Sequence, residues 1–420
     1  NTAIGMHSLN VSSTDNNTVV GYESGYVTTG ADNTYVGFKA GRGAAGADAN
    51  NVGVGSNALL SITTGQNNVA VGYGALDAEN TGNKNVAVGY NALTAFDYNG
   101  DGYNVAVGNN AGLAATTGIE NTFVGANCGQ NLTTGDFNTF VGIAAGANGG
   151  DVDNAVLIGR AAGQNQTMTA DADGTVAVGA YAGYNIKTGQ YNVAMGYQAL
   201  YTATELDKNT AIGYQALKVL SGSAGTGENT AVGYQAGVAM TTGYDNTLIG
   251  ANTGNQITTG QSNVCIGKDA GDSLTTEIGM ICIGDDAGQK VQGGTTTSDG
   301  QVFIGYHAGQ DIDTGEGNIA IGYGALEVED DGDYNTAIGH QALNAQQGTT
   351  GTVANTAVGY QAGAAITTSH YNTLVGYWAG KSMTTGNGRS VLIGMRAGDA
   401  ITTAEYNIAM GYDALGANIV

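Results

Sequence analysis

Asn229-Thr230-Ala231-Val232-Gly233-Tyr234-Gln235-Ala236-Gly237, NTAVGYQAG, returns unchanged at Asn355–Gly363, and NTAIGYQAL at Asn209–Leu217 differs from it at two positions. Aligned on the central glycine, the phrase occurs 24 times, from Gly5 to Gly411. Its nine positions behave as slots. Slot one is Asn in 19 copies, with Ala155, Thr175, Met280, Gln301 and Ser390 in the others. Slot two is always Thr, Val or Ile, and slot four is Val or Ile except at Met195 and Met410. Slot five is always Gly, slot eight is Ala in 20 copies, and slot nine is only ever Gly or Leu. Copies lie 17 residues apart in 14 of 23 intervals, within a range of 16 to 21. Length varies only outside the phrase, where an extra turn residue costs little closure entropy. A constant phrase with variable connections is the mark of stacked structural units.

Slots two to four have strand composition. Slot three is often Ala but also Phe123, Phe140, Leu157, Leu248 and Phe303. Because successive strand side chains point to opposite faces, an apolar slot three between apolar slots two and four predicts burial on both faces. A second apolar position follows the phrase, at Ile62, Leu132, Met240, Ile257, Ile366 and Met383, usually before Thr-Thr-Gly. It predicts a second strand in each turn. Frequent Gly and β-branched residues disfavour helix, and 72 glycines in 420 residues lack the three-residue period of collagen. The expected fold is all-β, a parallel β-solenoid or β-roll of about 24 rungs over residues 1–420, as a single repeat domain. At roughly 4.8 Å per rung the stack would reach about 115 Å. Four buried apolar side chains do not offset the entropy of ordering one rung. Each rung therefore needs its neighbours and a lateral partner, and slot three is the expected place for that partner. A homo-oligomer follows, most simply a trimer.

Twelve basic against 35 acidic residues give a net charge of −23. Such a surface repels nucleic acid and anionic membranes, so neither is an expected partner. Proline is absent, which suits a backbone whose donors are used in ladders. No apolar run reaches the 18 residues a membrane span requires. The sequence opens directly on a copy of the phrase, at Asn1–Gly5, which fits a processed product or fragment; flanking caps or anchors are not recognisable in it.

With these residues in view, N-x-[AV]-[IV]-G followed by a small-residue turn resembles the YadA-like head repeats of trimeric autotransporter adhesins. The longer NTAVGYQAG and NTAIGYQAL forms followed by TTG are similar to repeats in tail-fibre proteins of phages, marine ones included. The resemblance covers the whole chain. It implies a left-handed winding, a homotrimer and a place on a virion or cell surface. The period is longer than in the adhesin heads, and no coiled-coil stalk, membrane anchor or chaperone domain accompanies it.

Candidate chemistry is sparse. His7, His307, His340 and His370 have no recognisable nucleophile or carboxylate set beside them in sequence, and the G-x-x-G matches lack the strand-to-helix context of a phosphate cradle. Asp97, Asn99 and Asp101, in Asp97-Tyr98-Asn99-Gly100-Asp101-Gly102, match the alternating oxygen ligands of a calcium loop. Gly108 stands where an EF-hand has its Glu, so calcium here competes with plain turn formation. Asp171-Ala172-Asp173-Gly174 and Glu329–Asp333 are weaker echoes. No cofactor is required by any motif. Cys265 and Cys282 fill slot three on adjacent rungs, as a disulfide or as small apolar filler. Tyr occupies slot six in 11 copies, among them Tyr73, Tyr90, Tyr197, Tyr214, Tyr234, Tyr323, Tyr360 and Tyr377, with Trp378 adjacent. The column reads either as rings packing along the stack or as a platform for sugars. The Asn column reads as an amide ladder.

Three functions compete. The first is a non-enzymatic fibre, a shaft or head of an attachment appendage, whose partners are further copies of itself and a cell-surface glycan or receptor. The second is a carbohydrate- or ice-binding module, prompted by the Tyr columns and Thr-Thr pairs. The third is a polysaccharide-degrading solenoid enzyme, for which no distinctive charged cluster is visible.

Overall fold

The computed structural model describes residues 1–12, 14–165, 167–222, 227–292, 299–347 and 351–416. Slots two to four of every copy form a three-residue β-strand, from Thr2–Ile4 to Ile408–Met410. The chain is an all-β parallel solenoid whose strands are repeated with the 17-residue period. It divides into two compact units, Asn1–Asn209 with Gly222–Thr226 and Thr210–Ser221 with Gly227–Val420. Twelve phrase strands fall in each. Within each unit successive strands pair slot on slot: Val69, Ala70 and Val71 face Val86, Ala87 and Val88 in the first, and Thr356, Ala357 and Val358 face Thr373, Leu374 and Val375 in the second. Helix among the described residues is a single 3-10 turn, Ala170–Ala172.

The strand faces are divided differently from the expectation. Slot three lies inside the rung, with Tyr35, Phe123, Phe140, Leu157 and Phe303 fully buried. Slots two and four point outward, and Val54, Val107, Val124 and Ile158 are 36–38% exposed. Slot three is thus the chain's own core and not the seat of a lateral partner. The reason is the bend at slot five, which folds the rest of the rung over the slot-three side. That bend needs glycine. Gly72 has φ +137°, and a Cβ there would lie 2.2 Å from the carbonyl oxygen of Gly89 on the next rung.

Past the bend, slots seven and nine adopt left-handed backbone in all 24 copies. The two reversals turn successive N–H groups in opposite directions along the stack. Gln235 at slot seven donates to the Tyr214 carbonyl of the preceding rung (2.8 Å), and Gly237 at slot nine donates to Thr253 of the following one (3.0 Å). Each rung is thereby bonded on both sides even where it is not a strand.

Core volume is exchanged between two slots. Every Leu at slot nine, such as Leu59, Leu76, Leu93 and Leu217, shares its rung with Ala or Gly at slot three. Every slot-three residue larger than Ala shares its rung with Gly at slot nine. Both side chains would fill one space. A Cβ on Gly41 would lie 2.4 Å from the Tyr35 ring, one on Gly129 2.6 Å from Phe123, and one on Gly271 2.8 Å from Cys265 Sγ. Leu tolerates the left-handed conformation because full burial contributes about 1.5–3 kcal/mol against roughly 1–2 kcal/mol of backbone cost.

The second apolar position is buried as expected, at Ile62, Leu132, Met240, Ile257, Ile366 and Met383. The second strand, however, does not run through the rungs. Pairing outside the phrase is confined, among the described residues, to Gly332–Asp333 with Gly351–Thr352, Thr385–Gly388 with Thr403–Glu405, and three isolated bridges. Tight turns replace it, since Ile62 donates back to Leu59, and rungs join through bonds such as Thr241 N to Thr258 O (2.8 Å). The Thr241 hydroxyl reinforces the same carbonyl at 3.0 Å.

Candidate functional site

The Asn column is a buried ladder. Asn121 donates from Nδ2 to the Gly135 carbonyl (2.8 Å), while its Oδ1 accepts from the backbone N of Asn138 (2.9 Å) and from Asn138 Nδ2 (3.0 Å). The closing bond and the bond to the next rung's backbone N recur at Asn51 and Asn68, whereas Asn85 turns its Nδ2 to the Asn83 carbonyl (3.0 Å). One side chain thus closes its own rung and holds the next, which is a structural role.

In the Tyr column the rings cover one another. Tyr306, Tyr323, His340, Tyr360 and Tyr377 form a continuous stack with centroid separations of 5.2, 4.9, 5.2 and 5.1 Å. Tyr73 and Tyr90 repeat the arrangement at 5.3 Å in the first unit. Inner rings have both faces occupied, so edges and hydroxyls are what they present outward. Trp378 departs from the column: its indole N–H donates to Gln361, and the Lys381 ammonium lies 3.9 Å from its ring centroid.

His307 has carboxylate neighbours that sequence reasoning missed. Its Nε2 is 3.4 Å from Asp286 and its Nδ1 3.1 Å from Glu327, while Tyr306 lies on the ring. Asp286 is the slot-seven residue one rung earlier, so aligning slots between rungs would have exposed that half of the arrangement. The two carboxylates meet opposite ring nitrogens, a geometry that clamps an imidazole but does not converge on one ion.

The calcium candidates are dispersed into side-chain contacts between rungs. Asp97 accepts from Asn80 Nδ2 (3.1 Å), and Asp101 accepts from Lys84 Nζ (2.6 Å), Asn83 and the Tyr103 hydroxyl. Lys84 holds the Asp101 carboxyl below its usual range. Asn99 is exposed on the same turn. Among the described residues no group of three or more His, Cys, Asp or Glu side chains is placed to hold an ion. Asp173, from the second Asp-rich turn, accepts from the backbone N of Asp153 (2.8 Å), which in turn accepts from Asp136 N (2.6 Å). Those aspartates repeat on a small scale what the Asn ladder does.

Buried carboxyls are the least expected feature. Glu79 occupies the position where other rungs carry Ile62 or Phe96. It is fully buried, its Oε1 accepts from Thr81 N (3.0 Å), and its Oε2 has no hydrogen-bond partner. Burial pushes its carboxyl up to about 7, with the charge of Asp97 adding to the rise. Glu329, in the same position of its own rung, is bonded by Gly332 N (2.7 Å) and Gln346 Nε2 (2.6 Å). Cys265 and Cys282 face each other in register as buried free thiols. Cys128 fills slot eight, where burial raises its thiol to about 12.

The outward slots two and four leave two columns of Val, Ile, Met and Thr along each unit. Twelve rungs at about 4.8 Å, with side chains about 7 Å apart, form a strip on the order of 400 Å² per unit. Among the described residues no helix is long and apolar enough to cross a membrane. No family model matches this sequence, and no curated protein matches it.

Proposed function

We propose that the chain is a non-enzymatic structural fibre, the shaft or head of an attachment appendage displayed on a virion or cell surface, and that it assembles as a left-handed homotrimer. The observation that carries this reading is the outer strand face. Its two columns of largely apolar side chains repeat on every rung, and an apolar strip of that size on a water-exposed protein marks a contact surface. Identical rungs bring identical strips, so the simplest complement is another copy of the same chain. The lateral partner moves from slot three, where it was expected, to slots two and four. The acidic surface agrees with an appendage that binds neither nucleic acid nor anionic lipid. The likeness of NTAVGYQAG to adhesin-head and tail-fibre repeats supports the same conclusion. Immunogold imaging of the native particle or cell tests it: label on projecting fibres is expected, and label confined to the cytoplasm would contradict it.

A further inference from the structure

In the first unit one hollow departs from the rung pattern. Slot seven carries Asn127 on the rung of Gly125, but Ala144 and Ala161 on the next two. A hollow of about 350 Å³ opens above these short side chains, within the range of small-molecule sites. Ala161, 3% exposed, and Ile143, 61% exposed, line it.

Tyr181 and Tyr184 also line it, and Tyr181 does not follow the column stacking. Tyr181 stands across Tyr184 and Tyr197, with interplanar angles of 69° and 89°. Tyr184 has one face against Tyr201 at 5.0 Å. Both rings therefore have surface that no parallel neighbour covers. On the rim the Arg160 guanidinium lies 5.4 Å from the Tyr181 ring centroid. The Arg160 carbonyl accepts from Tyr181 N (2.9 Å), while its guanidinium, unlike those of Arg42 and Arg396, meets no carboxylate among the described residues.

We propose that this hollow is a binding subsite for a uronic-acid residue of an acidic glycan. Tyrosine rings and Ile143 take the C–H face of the sugar, and the guanidinium fork takes its carboxylate. The Gln164 amide and the two tyrosine hydroxyls supply hydrogen bonds to ring hydroxyls. The biological sense of the site rests on the fibre reading, since an attachment appendage needs a receptor.

Calorimetric titration of the full chain with galacturonate trimer, and with the neutral galactose trimer, tests the site. The assembly mass is measured first, so a failure to bind by intact trimers counts against the hollow and a wrong mass against the fibre. Wild-type protein should bind the acidic trimer at least about tenfold more tightly than the neutral one. Arg160→Gln should erase that preference. Ala161→Asn places in the hollow the residue that slot seven already carries at Asn127 in the same backbone conformation. It should weaken binding about tenfold or more with the melting temperature unchanged. Absence of heat with millimolar acidic trimer, equal affinity for both trimers, or undiminished binding by Ala161→Asn would each overturn the proposal.

Discussion

At the scale of single residues, Asn at slot one does the most work for its size. Asn121→Ala would leave the Gly135 carbonyl and the Asn138 N–H without partners inside the rung. The expected loss is about 1–3 kcal/mol, read as reduced hydrogen-exchange protection at Asn138 and its neighbours. This ladder was legible, because a polar residue repeated 19 times beside strand residues has few other uses. The left-handed backbone at slot seven was not legible. Residues as different as His7, Lys39, Tyr181 and Trp378 adopt it, and its one trace is that no β-branched residue stands there. Glu79 gives a pH-dependent prediction. A carboxyl raised from 4.5 to about 7 on folding holds its proton more tightly in the folded state. Its contribution therefore favours folding in acid and is lost as pH climbs from about 4.5 to about 7, by on the order of 3 kcal/mol. Glu79→Gln should lose that slope, so the difference between variant and wild-type stability should change with pH across this window. Gln346 shows that this position holds a buried amide. Parallel curves for the two proteins across this window would contradict the assignment.

At the scale of the rung, volume is shared between slots three and nine. Gly129→Leu alone forces a side chain onto Phe123 and should cost about 1–3 kcal/mol. Phe123→Ala alone opens a cavity at about 3–5 kcal/mol. The double variant recreates the Ala-and-Leu pairing of the Leu93 rung and should lose less than the sum of the two, a coupling that denaturant titration of all four proteins measures. Additive losses would mean that the slots do not share space. The strands themselves were readable from β-branched slots two and four. The second strand was misjudged because an inward apolar residue such as Ile62 needs only a turn to aim it. The glycine and leucine reversals just before it spoil an extended path.

At the scale of the whole molecule, sequence reasoning assigned slot three to a lateral partner, and that slot lies in the chain's own core. Periodicity shows that slots two, three and four are all apolar, but not toward which side the glycine bend closes. The bend closes over slot three and leaves Val107 and Val124 outside, 38% and 37% exposed. Replacing both with Glu would set charges within the proposed contact without touching the core. The variant should lose assembly while keeping its β-sheet circular dichroism, and unchanged assembly would move the contact elsewhere. The hollow beneath Arg160 was not visible in sequence because it arises from two missing side chains on adjacent rungs, a feature that only stacking brings together. The most direct test of the central claim is the light-scattering mass of the native chain at neutral pH. Self-association through the outer strand face predicts a single species of three times the 42.0 kDa chain mass; a monodisperse monomer would contradict it.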